Sequence, residues 1–129
     1  MLLLDTTFWI DLATEKDESP RLPFAQRGPA HRFVTRNRAE VFSISIITWG
    51  ELAVGYAQSM DLERVLGRTK VLSLPRQVAW EASRLDKELP QRLSENDNWI
   101  AATARIWGLR LVSRDAAFGR VPRLRVVRY

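Results

Sequence analysis

Asp97-Asn-Trp-Ile-Ala-Ala-Thr-Ala-Arg-Ile-Trp107, then Gly108, then Leu109-Arg-Leu-Val-Ser113, then Arg114-Asp115: the chain passes here from helix to stop to strand to acid. The helical pattern opens on Asp97 and closes at Gly108, a residue suited to the left-handed conformation that ends helices. The apolar run after it predicts a buried strand over Arg110 to Ser113, and Asp115 follows directly. The same unit, an apolar strand ending in an acid, stands at Leu2-Leu3-Leu4-Asp5. Ser43-Ile-Ser-Ile-Ile47 is followed by Glu51 about one turn later. If these strands lie parallel in one sheet, Asp5, Glu51, Asp97 and Asp115 sit at or near its carboxyl edge, where open α/β folds bind ligands.

The rest of the chain fits the same alternation. Thr6 to Leu12 predicts a short helix, and the stretch from Glu15 to Ala30, with Pro20, Pro23, Gly28 and Pro29, a loop or broken helix. Ala30 to Arg38 reads as a helix with Phe33 and Val34 inward, and Phe42 to Ile47, rich in β-branched residues, as a strand. Thr48 to Tyr56 and Asp61 to Leu66 predict helices, and Val71 to Leu74 a strand stopped by Pro75. Arg76 to Leu89 is amphipathic and ends at Pro90, and Leu124 to Val127 is a final strand. Short strands alternating with helices imply a layered α/β fold whose sheet is mostly parallel, with four or five strands.

The 129 residues match one domain, and 46% hydrophobic residues suffice for one core. With no cysteine, disulfides, zinc–thiolate sites and thiol nucleophiles are excluded, which fits a cytoplasmic setting. The apolar run after Met1 is too short for a secretion signal, and no stretch approaches a membrane span. Net charge is +5, with arginines recurring from Arg105 to Arg128 and no acid after Asp115. A basic surface beside an acidic pocket suits a polyanion such as nucleic acid.

Each acid has an alternative role as a helix cap. Asp5 can cap the helix after it, Thr48-x-x-Glu51 matches a capping box, Ser94-x-x-Asp97 is a looser version, and Asp115 can cap a turn at Ala116–Phe118. The two roles are compatible, because the positive end of a helix favours the ionised carboxylate that a cation requires. Four converging carboxylates would repel one another and hold protons more tightly. Mg²⁺ or Mn²⁺, which take oxygen ligands, remove that cost and activate water toward phosphodiesters.

Taken in order, these blocks resemble the PIN-domain family. They are Leu-Leu-Asp5-Thr-Thr-Phe-Trp-Ile-Asp-Leu12, then Ile-Ser-Ile-Ile-Thr-Trp-Gly-Glu51-Leu-Ala-Val-Gly55, then Asp97 to Ala104 and Gly108 to Phe118. Length and block spacing are most similar to VapC-type toxins of prokaryotic toxin–antitoxin pairs. The resemblance implies a three-layer α/β/α sandwich and Mg²⁺- or Mn²⁺-dependent endoribonuclease activity. It makes Asp5, Glu51, Asp97 and Asp115 the acidic site, with Thr6, Ser113 and Arg114 beside the cation or scissile phosphate. It implies an RNA substrate, a small cognate antitoxin and a homodimer. A PIN-type nuclease of RNA maturation without an antitoxin, and an inactive module of the same fold that binds RNA or protein, are the alternatives.

Other residues carry weaker expectations. Asp11 is expected to face solvent, far from the acids, and His31 to be uninvolved in chemistry. Asn96, Asn98 and Glu95 are expected as caps or exposed residues. Trp80 and Trp107 are read as core or dimer contacts, and Trp9 and Trp49 as core residues near the first two acids. Arg120 joins Arg114 as a plausible phosphate contact.

Overall fold

A computed structural model describes residues 1–16 and 22–129. Its strands β1 (Leu2–Leu4), β2 (Phe42–Ser45), β3 (Lys70–Leu72), β4 (Arg110–Val112) and β5 (Val126–Val127) form one sheet in the order β3-β2-β1-β4-β5. Every pairing is parallel, with Leu3 opposite Ser43 on one side and Leu111 on the other. The helices are α1 (Thr6–Lys16), α2 (Pro29–Arg36), α3 (Ile46–Ala53), α4 (Ser59–Leu66), α5 (Arg76–Glu88) and α6 (Glu95–Trp107), with 3-10 turns at Phe24–Gln26 and Ala116–Arg120.

Both faces of the sheet are covered, which is why β1 is three consecutive leucines rather than an alternating strand. Leu2, Leu4, Ile44 and Val112 face Phe8 and Trp9 of α1, Ala30 and Phe33 of α2, and Leu62 and Leu66 of α4. Leu3 and Leu111 face Val78, Ala82 and Leu85 of α5 and the buried run Ile100–Ala104 of α6. The alanines at 101, 102 and 104 let α6 approach closely, and Asn98 fastens it to α5 by donating to the Ala82 carbonyl at 2.8 Å. The result is the expected three-layer α/β/α sandwich.

Some boundaries shift for identifiable reasons. Strand β2 stops at Ser45 rather than Ile47, because the Ser45 hydroxyl accepts from the Thr48 amide and starts α3 at Ile46. Thr48 and Glu51 therefore do not form a capping box, and Glu51 lies inside α3. Helix α1 runs through Glu15, whose carboxylate accepts from the amides of Ala30 and His31 and so caps α2 from outside. Within the stretch read as loop or broken helix, residues 17–21, including Pro20, lie outside the described residues. Gly108 ends α6 in the left-handed region, at φ 62° and ψ 34°, as its sequence position predicts.

Candidate active site at the carboxyl edge of the sheet

Strands β1 to β3 wind one way from the centre of the sheet, and β4 and β5 the other. The reversal lies between β1 and β4, and a crevice opens there beyond the carboxyl ends of the strands. Asp5 closes β1 at that point, its amide donating to the Val112 carbonyl at 3.2 Å. One oxygen of Asp5 accepts from the Phe8 amide at 2.8 Å and so caps α1. The other accepts from the Ser113 hydroxyl at 2.5 Å. Ser113, fully buried at the end of β4, accepts in turn from the Asp115 amide at 3.0 Å.

The other acids arrive on separate elements. Asp97 lies in the first turn of α6, where Ser94 caps the helix by accepting from the Asp97 amide at 3.2 Å. Asp115 caps the following 3-10 turn through the Ala117 amide at 2.9 Å. Glu51, on the second turn of α3, accepts from the Thr6 hydroxyl at 2.7 Å, and that hydroxyl lies 3.2 Å from the buried Thr48 hydroxyl. Three of the four acids thus sit at helix or turn starts, and two of them are caps themselves. Asp5 is buried, Asp97 half-buried, and Glu51 and Asp115 are exposed.

Electrostatics links the four. Burial pushes the Asp5 carboxyl above its ordinary value; the bonds from Ser113 and Phe8 pull it back, and the charges of Asp97 and Asp115 raise it further. Burial also raises Asp97, against the bond at Ser94, and Asp115 and Glu51 add to the rise. Desolvated carboxylates that repel one another are what a divalent cation would relieve. The oxygen-only donor set suits Mg²⁺ or Mn²⁺. Among the described residues no three acids close into a ready-made cage. Mg²⁺ does not require one, since it commonly takes one or two carboxylates and completes its shell with water and substrate phosphate.

The chain matches known proteins at two levels. The family model of the PIN domain matches residues 2–124. The chain is a PIN domain. This family consists of nucleases, generally hydrolytic. No curated protein sequence matches it. Among solved structures, the chain resembles a toxin–antitoxin complex from Klebsiella pneumoniae, with 28% identity, a TM-score of 0.72, and coverage of 98% of this chain and 96% of that one. DNA-bound VapBC from Salmonella typhimurium is similar at 28% identity and a TM-score of 0.73, covering 99% and 98%. VapBC2 from Rickettsia felis, bound to a DNA fragment from its promoter, shares the fold at 19% identity and a TM-score of 0.78, covering 98% and 97%.

Several expectations about single residues change. Asp11 does not simply face solvent: it accepts from Arg114 at 3.0 Å and from the Tyr129 hydroxyl at 2.6 Å. Burial and the Asp11 carboxylate push that phenol far above its ordinary value. Arg114 is accordingly ion-paired on the α1 side of the PIN domain. Arg120 bonds Gln91 and the Ala117 carbonyl. Trp9 is core, whereas Trp80 and Trp107 are exposed, with Arg84 stacked over Trp80 at 4.4 Å. His31 lies on α2, its amide bound to Glu15. Thr48 and Ser45 hold α3 at the crevice; their only sequence signal was a hydroxyl at each end of a three-residue spacing.

Proposed function

We propose that this PIN domain is a metal-dependent endoribonuclease and the toxin of a type II toxin–antitoxin pair. The observation that carries the reading is the position of Asp5 at the end of β1, bonded to Ser113 at the end of β4 at the switch point of the sheet. Asp97, Asp115 and Glu51 are brought in on separate elements, and the neighbouring charges raise Asp5 and Asp97. Asp5, Asp97 and Asp115 would hold Mg²⁺ or Mn²⁺, with Glu51 as a further ligand or a water-orienting base. The cation, when bound, supplies a lower pKa for attacking water and offsets charge on the phosphodiester. Ser113 and Thr6 fix the carboxylates of Asp5 and Glu51, so neither must reorient when substrate arrives. Arg114 stands beside Asp115 as a phosphate contact, held by Asp11.

A small antitoxin is the proposed partner, supported by the two relatives at 28% identity that were solved as toxin–antitoxin assemblies. An apolar groove between α1, α3 and α4, lined by Trp9, Ile10, Leu52, Val54 and Val65, runs up to Glu51 and would take the apolar face of such a protein. The chain is read as a single domain, acting in the cytoplasm as a homodimer; among the described residues no helix is long and apolar enough to cross a membrane. The deciding experiment is sequencing of RNA fragments after induced expression of wild type and of Asp97→Asn. A defined set of cuts in wild type only is expected, and identical cuts from both proteins would overturn the site assignment.

A further inference from the structure

The acidic edge has a basic neighbour that takes no part in holding a cation. Beyond β5 the chain folds back against α2, and a cavity of about 190 Å³ opens between Pro29, Arg32, Phe33, Arg36, Arg128 and Tyr129. Three arginines line it and, among the described residues, no carboxylate side chain does. Among the described residues none of the three is in an ion pair. Arg32 donates to the Ala25 carbonyl at 3.4 Å. Arg36 lies over the exposed ring of Phe24, 5.3 Å from its centroid. Guanidinium groups gathered without an acid repel one another, and an anion between them reverses the sign of that interaction.

The wall of this cavity is tied to the acidic edge. Tyr129 and Phe33 both pack edge-on against Phe8, with centroids 4.7 and 5.6 Å away. The amide of Phe8 is itself bonded to Asp5. The Tyr129 hydroxyl donates to Asp11, whose other oxygen holds Arg114 next to Asp115. Tyr129 therefore lines the arginine cavity and is joined at its hydroxyl, through Asp11 and Arg114, to the acidic crevice.

We propose that Arg32, Arg36 and Arg128 form a subsite for backbone phosphates of single-stranded RNA, lying beyond the nucleotides that reach the acidic edge, with Phe24 as a base-stacking surface at its rim. The identity of the strand rests on the nuclease reading above, but binding at the subsite needs no cation. Guanidinium forks match phosphate oxygens in a bidentate geometry. Aromatic rings interleaved with cations grip single strands without reading their sequence. An acidic peptide would satisfy the arginines but would have no base to stack on Phe24.

The test is fluorescence anisotropy of the metal-free protein with labelled single-stranded RNAs of mixed sequence, about 6 and about 20 nucleotides long, one within and one above usual single-strand site sizes. Wild type is expected to bind the longer RNA more tightly. The variant Arg32→Glu/Arg128→Glu should weaken the longer RNA at least tenfold, and the shorter as well, since without a cation it has only the subsite to bind. The charge-matched control Arg64→Glu/Arg68→Glu, at exposed arginines of the α4 end, should weaken either RNA less than twofold. The slope of log affinity against log salt should become shallower by about 0.7 for each phosphate that is no longer neutralised. Phe24→Ala should weaken the longer RNA about tenfold, and Arg32→Gln/Arg128→Gln repeats the test should charge reversal disturb folding. An equal loss in the control variant, or no loss for the longer RNA in the subsite variant, would overturn the subsite. So would unchanged RNA binding alongside lost binding of a polyglutamate peptide. If wild type cuts RNA with Mn²⁺ while the arginine variants bind normally, the subsite fails and the nuclease reading stands. If the arginine variants lose the longer RNA and wild type cuts nothing, the nuclease reading fails and the subsite stands.

Discussion

Removing the Ser113 hydroxyl should destabilise the metal-free protein by an amount that grows with pH. Ser113 is fully buried and makes two bonds, donating to the Asp5 carboxylate and accepting from the Asp115 amide. A hydrogen bond to a charged group contributes about 1.5–3 kcal/mol and a neutral one about 1 kcal/mol. Ser113→Ala should therefore cost about 3 kcal/mol at pH values where Asp5 is ionised. At about 4 °C per kcal/mol for a chain of this size, the midpoint should fall by about 12 °C.

The pH dependence follows from the position of Asp5, which burial and the neighbouring acids raise while Ser113 pulls it down. A raised carboxyl gives stability that is complete below its unfolded value and is lost as pH rises through the folded one. Without Ser113 the Asp5 carboxyl rises further, so the variant loses more than wild type over that window. In acid, where Asp5 is protonated in both states, the gap should shrink to about 1 kcal/mol. Thermal unfolding in chelator from about pH 3 to about pH 8 measures it, and in an Asp5→Asn background the cost should be about 1 kcal/mol throughout. A gap of constant size across that range would refute the idea that Ser113 acts on the charged form of Asp5.

Three further outcomes test other parts of the structure. Mn²⁺ at about a hundred times its dissociation constant should stabilise wild type by about 2.7 kcal/mol, and Asp97→Asn should lose most of that shift; equal shifts in both proteins would remove Asp97 from the cation site. Without metal, Asp97→Asn should melt higher than wild type near pH 7, because it removes a half-buried charge facing Asp115 and Glu51; a lower midpoint in calorimetry would contradict the raised carboxyl. Gly28→Ala would bring a methyl group onto the Glu15 carboxylate that caps α2, and urea unfolding should show a loss of about 1–3 kcal/mol; Glu15→Gln alone should lose less.

What could be read in the sequence was local. Leu2–Leu4 announces a doubly covered strand because every residue is apolar, and Gly108 announces the end of α6 because few residues accept its backbone angles. Asp5 and Asp115 were legible as acids after strands and Asp97 as a helix start, and the alternative role as caps proved true of Asp5 and Asp115 without moving them from the crevice. Ile46 and Ile47 misled because β-branched residues favour strands, while one Ser45 side-chain bond was enough to begin a helix there. The partnership of Asp11 with Arg114 and Tyr129 joins positions more than a hundred residues apart, and no spacing rule reaches that far. The arginine excess was visible as charge. Its division into those spent on Glu81, Glu88, Glu40 and Asp11 and those gathered around the α2 cavity depends on packing.

The central position of β1 bears on how this protein is made. Its first strand pairs with β4 across the middle of the sheet, and the Asp5–Ser113 bond joins the two strand ends. A ribosome delivers Asp5 before Ser113, so the crevice stays unformed until β4 has emerged. A nascent chain or an early-terminated fragment is thus harmless on the nuclease reading. On the proposed toxin reading, an inhibitor need be at hand only once β4 has followed β1 into the sheet.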